Sequence, residues 1–369
     1  MVAYIHQKAR WPAFRWDQTR LTLLLAELKH RQGRLLGRME GLGFALQSEA
    51  SLQTLTLDVL KSSEIEGEIL NPEQVRSSIA RRLGMDIAGL VPADRHVEGV
   101  VEMMLDGTQK YEKELTDERL FGWHAALFPT GRSGMHKIVV GGWRDNHPDY
   151  PMQVVSGPMG KETVHYQAPD AALLPDEMKK MVDWFSGAEE TDPLLKAAIA
   201  HLWFVTIHPF DDGNGRIARA ITDMQLARAD GTAKRFYSMS AQIRKERNQY
   251  YDILEKTQKD DLDITPWLEW FLACLDRAIS STSETLASVF QKASFWDRNS
   301  RTDMNERQKL MINKLLDGFY GKLNTSKWAA INKTSQDTAL RDIQDLVGKA
   351  VLKKEEAGGR STTYILKTS

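Results

Sequence analysis

The chain has 369 residues, 42% of them hydrophobic, with 49 Lys and Arg against 50 Asp and Glu and a formal net charge of −1. That length exceeds one typical core and predicts two or three domains, while the balanced charge excludes a chain-wide pull toward nucleic acid or anionic membrane. No apolar run is long enough to cross a bilayer, and the single cysteine, Cys274, excludes an intramolecular disulfide and fits a reducing, cytoplasmic compartment.

The first residues, Met1-Val-Ala-Tyr-Ile-His-Gln-Lys, lack the apolar region of a signal peptide. Trp11-Pro-Ala-Phe14-Arg-Trp16 is an irregular aromatic opening, read as core or interface packing. Asp17 caps a predicted helix whose Leu21, Leu24, Leu25 and Leu28 keep helical spacing. A second apolar helical run (Leu52, Leu55, Leu57, Val59, Leu60) leads into Ser62-Ser-Glu-Ile-Glu66-Gly67, and Pro72 lies in the first turn of the next helix. These helices form a predicted N-terminal domain over residues 1–94.

From residue 95 to 285 the pattern is that of a larger helical domain. His96-Val-Glu-Gly-Val-Val-Glu-Met-Met-Leu and Leu120-Phe-Gly-Trp-His124-Ala-Ala-Leu-Phe are predicted helices, with His124 read as a packed histidine. Trp143-Arg144 is read as a loop anchor. Met152 to Ser156 and Thr163 to Tyr166 are β-favouring runs around Gly157-Pro-Met-Gly160-Lys161, which predicts a hairpin. Asp192 to Val205 is a mostly buried helix, and its His201 is read as structural because no third metal ligand is evident.

That helix runs into His208-Pro-Phe-Asp-Asp-Gly-Asn-Gly-Arg216-Ile-Ala-Arg219, the most chemically dense segment of the chain. Gly213 and Gly215 let the backbone bend and bring N–H groups close to an anion. An amphipathic helix follows, so the loop feeds a helix N-terminus, where unpaired N–H groups and the macrodipole favour phosphate. Arg216 and Arg219 project three residues apart and can each fork onto phosphate oxygens. Asp212 would repel a bare phosphate and suits a Mg²⁺ that bridges phosphates. Asn214 can offer its amide to a phosphate oxygen. Neutral His208 is a suitable base near pH 7, and Phe210 is an apolar anchor for the loop. Farther on, Tyr250, Tyr251 and Leu254 make a helical aromatic and apolar surface that suits a purine.

Polar breaks at 280–284 and 298–302 set off residues 300–369 as a last domain. Three helices are predicted, from Asn305 to Leu316, from Thr325, and from Ser335, which caps the third. Val351-Leu-Lys-Lys and Thr363 to Leu366 then flank Gly358-Gly-Arg-Ser. This order is that of a winged helix-turn-helix. Residues 301–369 carry 13 Lys and Arg against 8 Asp and Glu, a surplus of five positive charges. DNA is therefore a candidate partner, although winged helices also dock proteins, and Asp337, Asp342 and Asp345 are a poor groove-reading set.

The segment from His208 to Arg219 matches H-x-F-x-(D/E)-G-N-G-R-x-x-R at every fixed position, and the chain thereby resembles the Fic-domain family. That resemblance implies a mainly α fold: a Fic-type helical core with a β-hairpin flap beside the helical N-terminal and winged C-terminal domains. It implies transfer of AMP from ATP, with Mg²⁺, to a Tyr, Thr or Ser hydroxyl of a protein. His208 then looks like the general base, Asp212 like the metal ligand, and Gly213, Asn214 and Gly215 like the anion hole for the α-phosphate. Arg216 and Arg219 look like the β/γ-phosphate clamp. Ser62 to Gly67 resembles the family's inhibitory motif (S/T)-x-x-x-E-(G/N), in which the glutamate competes with a phosphate for the second arginine, here Glu66 for Arg219. The aromatic opening and the Glu66 region resemble the N-terminal domain of one group of bacterial Fic proteins. The hairpin, with Val154, Val155, Ser156 and Gly157, looks like the flap that holds a target by strand addition. Tyr250 and Tyr251 look like the adenine-pocket wall, and Gln258 stands where some relatives carry an Asn. Three alternatives stay open: a nucleotide-sensing, DNA-binding regulator, an enzyme that also removes AMP with Glu66 positioning water, and another nucleotide-linked donor, against which the pair of arginines argues. Self-modification and a homodimer are further expectations; a membrane partner is not expected.

Overall fold

The computed structural model describes residues 4–85, 87, 89–158, 160–187, 191–319, 321–355 and 362–367. They divide into two compact units, Met1–Thr282 and Ser283–Ser369. In chain order the first unit holds α1 (Gln18–Glu40), α2 (Phe44–Ile65), α3 (Pro72–Arg82), α4 (Arg95–Gln109) and α5 (Asp117–Leu127). The short strands β1 (Arg132–Ser133), β2 (His136–Lys137), β3 (Gln153–Ser156) and β4 (Thr163–Gln167) follow. Then come α6 (Leu174–Ser186), α7 (Pro193–Ile207), α8 (Asn214–Asp230), α9 (Met239–Lys245), α10 (Arg247–Gln258) and α11 (Thr265–Ser280). The fold is mainly helical, as expected.

Local chemistry sets the helix starts. The Asp17 carboxylate accepts from the N–H groups of Thr19 and Arg20, and Asn71 accepts from Glu73 and Gln74 ahead of Pro72. α7 is apolar on nearly every face, so it is buried along its length and packs against α8, α6 and α11. α8 is enclosed by α2, α4, α5 and α7, and its Arg216 and Arg219 lie inside that enclosure. Helices on both sides of residue 94 contribute to one hydrophobic core, with Leu21, Leu55 and Val59 in the same cluster as Val100, Phe204 and Ile217.

The aromatic opening is core packing. Trp11 and Phe14 meet Trp203 edge-on, Arg15 N–H donates to Leu262 O, and Ile264 N–H donates back to Arg15 O. β3 and β4 pair antiparallel, with a register shift between Val154 and Val155, and form the expected hairpin. Tyr166 of β4 donates its hydroxyl to Thr206 O in α7, which ties the hairpin base to the core. Met159 of the hairpin turn lies outside the described residues, as do Met1, Val2 and Ala3.

A short helix, α12 (Thr282–Thr285), spans the boundary. The second unit holds α13 (Ala287–Arg298), α14 (Glu306–Leu316), α15 (Thr325–Ile331), α16 (Gln336–Gly348) and the antiparallel pair β5 (Leu352–Lys354) and β6 (Tyr364–Leu366). Its core gathers Met311, Ile312, Trp328, Ile343, Leu346 and Tyr364. The helices and the strand pair follow the order of a winged helix-turn-helix, while Gly358 to Ser361, the expected wing turn, lie outside the described residues. Asp342 is buried and paired with Arg307 at 2.7 Å, and Asp345 takes Lys349 at 2.6 Å. Two of the three acids counted against a groove-reading face are thus neutralised within the unit.

Candidate active site

The site is built at the turn between α7 and α8. His208 ends α7 in the left-handed region (φ 52°), which swings the chain out of the helix and back toward α8. Its Nδ1–H donates to Val205 O at 3.2 Å, so Nε2 carries the lone pair. Burial lowers the His208 pKa to about 4, which keeps the ring neutral and able to accept a proton at neutral pH. Arg144 braces the turn from outside: its Nε donates to His208 O at 2.8 Å, its Nη2 to Pro169 O, and its backbone N–H to Pro209 O. Phe210 is fully buried and stacks on His124 with ring centroids 4.2 Å apart, so both are packing residues, as expected. His201 is structural too. Thr222 gives its hydroxyl proton to Ala218 O and so accepts from His201 Nδ1–H, leaving Nε2 to accept from Tyr250.

Gly213 caps α8 at φ 81°, and a Cβ there would stand 2.9 Å from the Phe128 ring, so only glycine fits the bend. The first N–H bonded within the helix is that of Ile217, to Gly213 O; the N–H groups of Asn214, Gly215 and Arg216 lead the helix and are the natural anion donors. Two residues expected in the anion hole also make bonds within the loop. The Gly213 N–H donates to Asp212 Oδ1 at 2.6 Å. The Asn214 side chain turns back on the loop, with Oδ1 accepting from Phe210 N–H at 3.0 Å and Nδ2 donating to Phe210 O at 2.8 Å.

Arg216 and Arg219 are 1% and 2% exposed. Arg219 Nη2 donates to Glu66 Oε1 at 2.7 Å and to Ser62 O at 2.9 Å, and its Nε donates to Ser62 Oγ at 2.9 Å. Burial, the largest influence, lowers the Arg219 pKa, but the charge and hydrogen bond of Glu66 together with Tyr250 and Tyr251 outweigh it and leave the group raised. Gly67, at φ 85°, turns the chain just after α2 so that Glu66 faces α8. A Cβ on Gly215 would collide with Glu66 Oε1, so this carboxylate rests against the start of α8, where an anion would sit. Arg216 Nη1 donates to Glu68 Oε2 at 2.6 Å, a pairing that sequence reasoning missed. Arg216 Nε and Arg219 Nη1 are buried without partners, as unfilled donors suited to phosphate oxygens.

Asp212 is half-buried and its Oδ2 accepts from Ser133 Oγ, another residue the sequence did not flag. One carboxylate suits Mg²⁺, which binds through one or two carboxylates together with substrate phosphates. Among the described residues no three His, Cys, Asp or Glu side chains gather as a metal cage.

The expected adenine wall divides. Tyr250 is 2% exposed with its hydroxyl on His201, whereas Tyr251 is 36% exposed with the Arg247 guanidinium 5.0 Å from its ring centroid. Of the two tyrosines only Tyr251 offers an open ring face. Gln258 is buried, its amide directed to Thr206 Oγ1 at 3.3 Å, so it is not presented at the surface. On the hairpin, Val155 and Ser156 are exposed, Val154 is half-buried, and Gly157 turns at φ 101°.

A model of the Fic/DOC family matches residues 114–226, and a model of a domain of unknown function, DUF4172, matches residues 4–85. The chain is 27% identical over 232 residues to Protein adenylyltransferase Fic of Drosophila yakuba, covering 60% of this chain and 40% of that protein. The Drosophila grimshawi protein of the same name is also 27% identical, covering 60% and 41%. The match therefore spans about two fifths of the length of these curated relatives. Among solved structures, a Fic family protein from Desulfovibrio desulfuricans G20 superposes with a TM-score of 0.58 at 19% identity, covering 94% of this chain and 96% of that one. A Fic domain containing signaling protein from Bacteroides thetaiotaomicron VPI-5482 gives a TM-score of 0.50 at 19% identity, covering 72% and 98%. Identities this low speak to the fold alone.

Proposed function

We propose that this chain, which a Fic/DOC family model matches over residues 114–226, is a protein adenylyltransferase, transferring AMP from ATP to a Tyr, Thr or Ser hydroxyl of a protein target, and that Glu66 holds it inhibited at rest. One observation carries this reading. A neutral imidazole, a helix N-terminus and two buried arginines converge, and a carboxylate of the same chain already sits against that N-terminus and one of the arginines.

Bound ATP with Mg²⁺ would supply an activated α-phosphorus and a charge-neutralised pyrophosphate leaving group. His208 Nε2 takes the proton of the target hydroxyl as its oxygen bonds to that phosphorus and the bond to pyrophosphate breaks. The N–H groups of Asn214, Gly215 and Arg216 stabilise charge on the α-phosphate oxygens. Arg216 and Arg219 hold the outer phosphates, and Asp212 would hold the metal. Tyr251 lines the base pocket. The free edge of β3, at Val154 to Ser156, accepts the target backbone as an added strand, which places its hydroxyl without reading its side chains.

Glu66→Gly frees Arg219, and incorporation of labelled AMP from ATP should rise on the order of tenfold or more, the equivalent of one lost competing contact. Adding His208→Ala to that variant should abolish transfer. Unchanged incorporation in Glu66→Gly would remove the inhibitory role. Nucleotide binding without any transfer would favour a nucleotide-sensing regulator.

A further inference from the structure

α2 ends in a turn that carries two carboxylates, Glu66 and Glu68. A helix C-terminus is electrostatically unfavourable for acids, so the helix itself gains nothing from either. Each instead reaches a different guanidinium of α8. Glu66 takes Arg219, and Glu68 Oε2 takes Arg216 Nη1 at 2.6 Å together with His96 Nε2 at 3.2 Å. Burial opposes the charge on Glu68, but His96 and Arg216 outweigh it and hold the carboxyl below its usual range.

Arg216 has little else to balance it. Its guanidinium lies over the Phe128 ring at 5.1 Å, its Nε has no partner, and it is almost wholly out of solvent. A buried cation in that position needs an anion, which is either Glu68 or a ligand. Freeing Arg219 from Glu66 leaves this second pair intact, so the clamp is then only half open.

We propose that Glu68 is a second carboxylate lock on the phosphate site, held in place by His96, and that a polyphosphate must displace it from Arg216 as it displaces Glu66 from Arg219. This rests on the reading that the two arginines grip the outer phosphates. It makes Glu68 a determinant of which ligands the site admits: those with a phosphate beyond the first gain from its removal, and a nucleoside monophosphate does not.

The test is calorimetric titration of ATP, ADP and AMP, each with Mg²⁺, into the full chain carrying Glu66→Gly and His208→Ala, with and without Glu68→Gln. His208→Ala prevents turnover, and Gln keeps the shape and an acceptor for His96 while removing the charge. Glu68→Gln should tighten ATP and ADP by about tenfold, the effect of one lost competitor, and AMP by less than about twofold. Glu68→Ala, at a half-buried position, is the second variant and should act in the same direction. Unchanged or weaker ATP binding overturns the lock, because Glu68 then only supports Arg216. Equal tightening of AMP overturns it too. If the parent variant binds no ATP at all, the phosphate-clamp reading fails, and this proposal fails with it.

Discussion

Asn214 closes the turn between α7 and α8 upon itself, holding both backbone polar groups of Phe210 from a position that is 2% exposed. Asn214→Ala leaves those two groups unpaired in the core, at a cost of about 1–3 kcal/mol each in the worst case. In a Glu66→Gly background the substitution should lower AMP transfer at least about tenfold, because misplacing reacting groups by roughly 1 Å is that costly. Denaturant unfolding and labelled-ATP incorporation measure the two effects. Asn214→Asp keeps the acceptor but sets a carboxylate against Phe210 O, so it should not rescue either one. At this scale the sequence was readable where the site is contiguous. His208, Asp212, Arg216 and Arg219 lie within twelve residues, and the chemistry proposed for them follows from type and spacing. Glu68 lies 148 residues from its partner, and nothing beside it in the chain announces Arg216. Ser133 met Asp212 by the same kind of long-range contact. For Asn214 the residue was legible and its bonds to Phe210 were not, because an amide that suits a phosphate suits a backbone turn equally well.

The elements divide the work between a rigid frame and a hairpin set over it. α7 and α8 are enclosed, so the turn between them inherits their fixed positions. The hairpin is tied to α10 through one side-chain chain: Ser156 donates to His165 Nε2 at 2.6 Å, and His165 Nδ1–H donates to Glu255 at 2.6 Å. α10 also carries Tyr251 of the proposed base pocket. His165→Ala should therefore free the hairpin and raise KM for a protein target several-fold, an effect of about 1 kcal/mol for a part-exposed pair. The affinity for ATP alone should stay as it was, and a matched loss of both would place His165 in nucleotide binding instead. Helix periodicity explains the divided tyrosines. Neighbouring positions on a helix point about 100° apart, so Tyr250 enters the core while Tyr251 faces outward. The sequence located the aromatic pair; only packing decided which ring is open.

Across the first unit, four imidazoles are held neutral by burial. The pKa values of His6, His124 and His208 are lowered to about 4 and that of His201 to about 3. In the unfolded chain these groups protonate near pH 6.5, so below that pH the unfolded state binds more protons than the folded one. Their contribution to stability is complete above about pH 6.5 and is lost as the pH falls toward about 4, at roughly 1.4 kcal/mol per pH unit for each fully buried ring. His124 and His201 are fully buried and carry most of it; His6 and His208 are partly exposed and count for less. The urea midpoint should fall between pH 7 and pH 5, and His201→Gln should flatten that fall. A midpoint independent of pH would mean that the rings are charged in the folded protein.

Helix starts, the hairpin, the three-helix and strand-pair order of the last unit and the tight turn between α7 and α8 were all determined by the sequence, because caps, periodicity and contiguous motifs act over a few residues. Tertiary structure decided that the N-terminal helices share the core of α7 and α8, that Glu66 lies against Gly215, and that Glu68 occupies Arg216. Those contacts join residues some 150 positions apart, and their strength comes from burial, which only the packed chain creates.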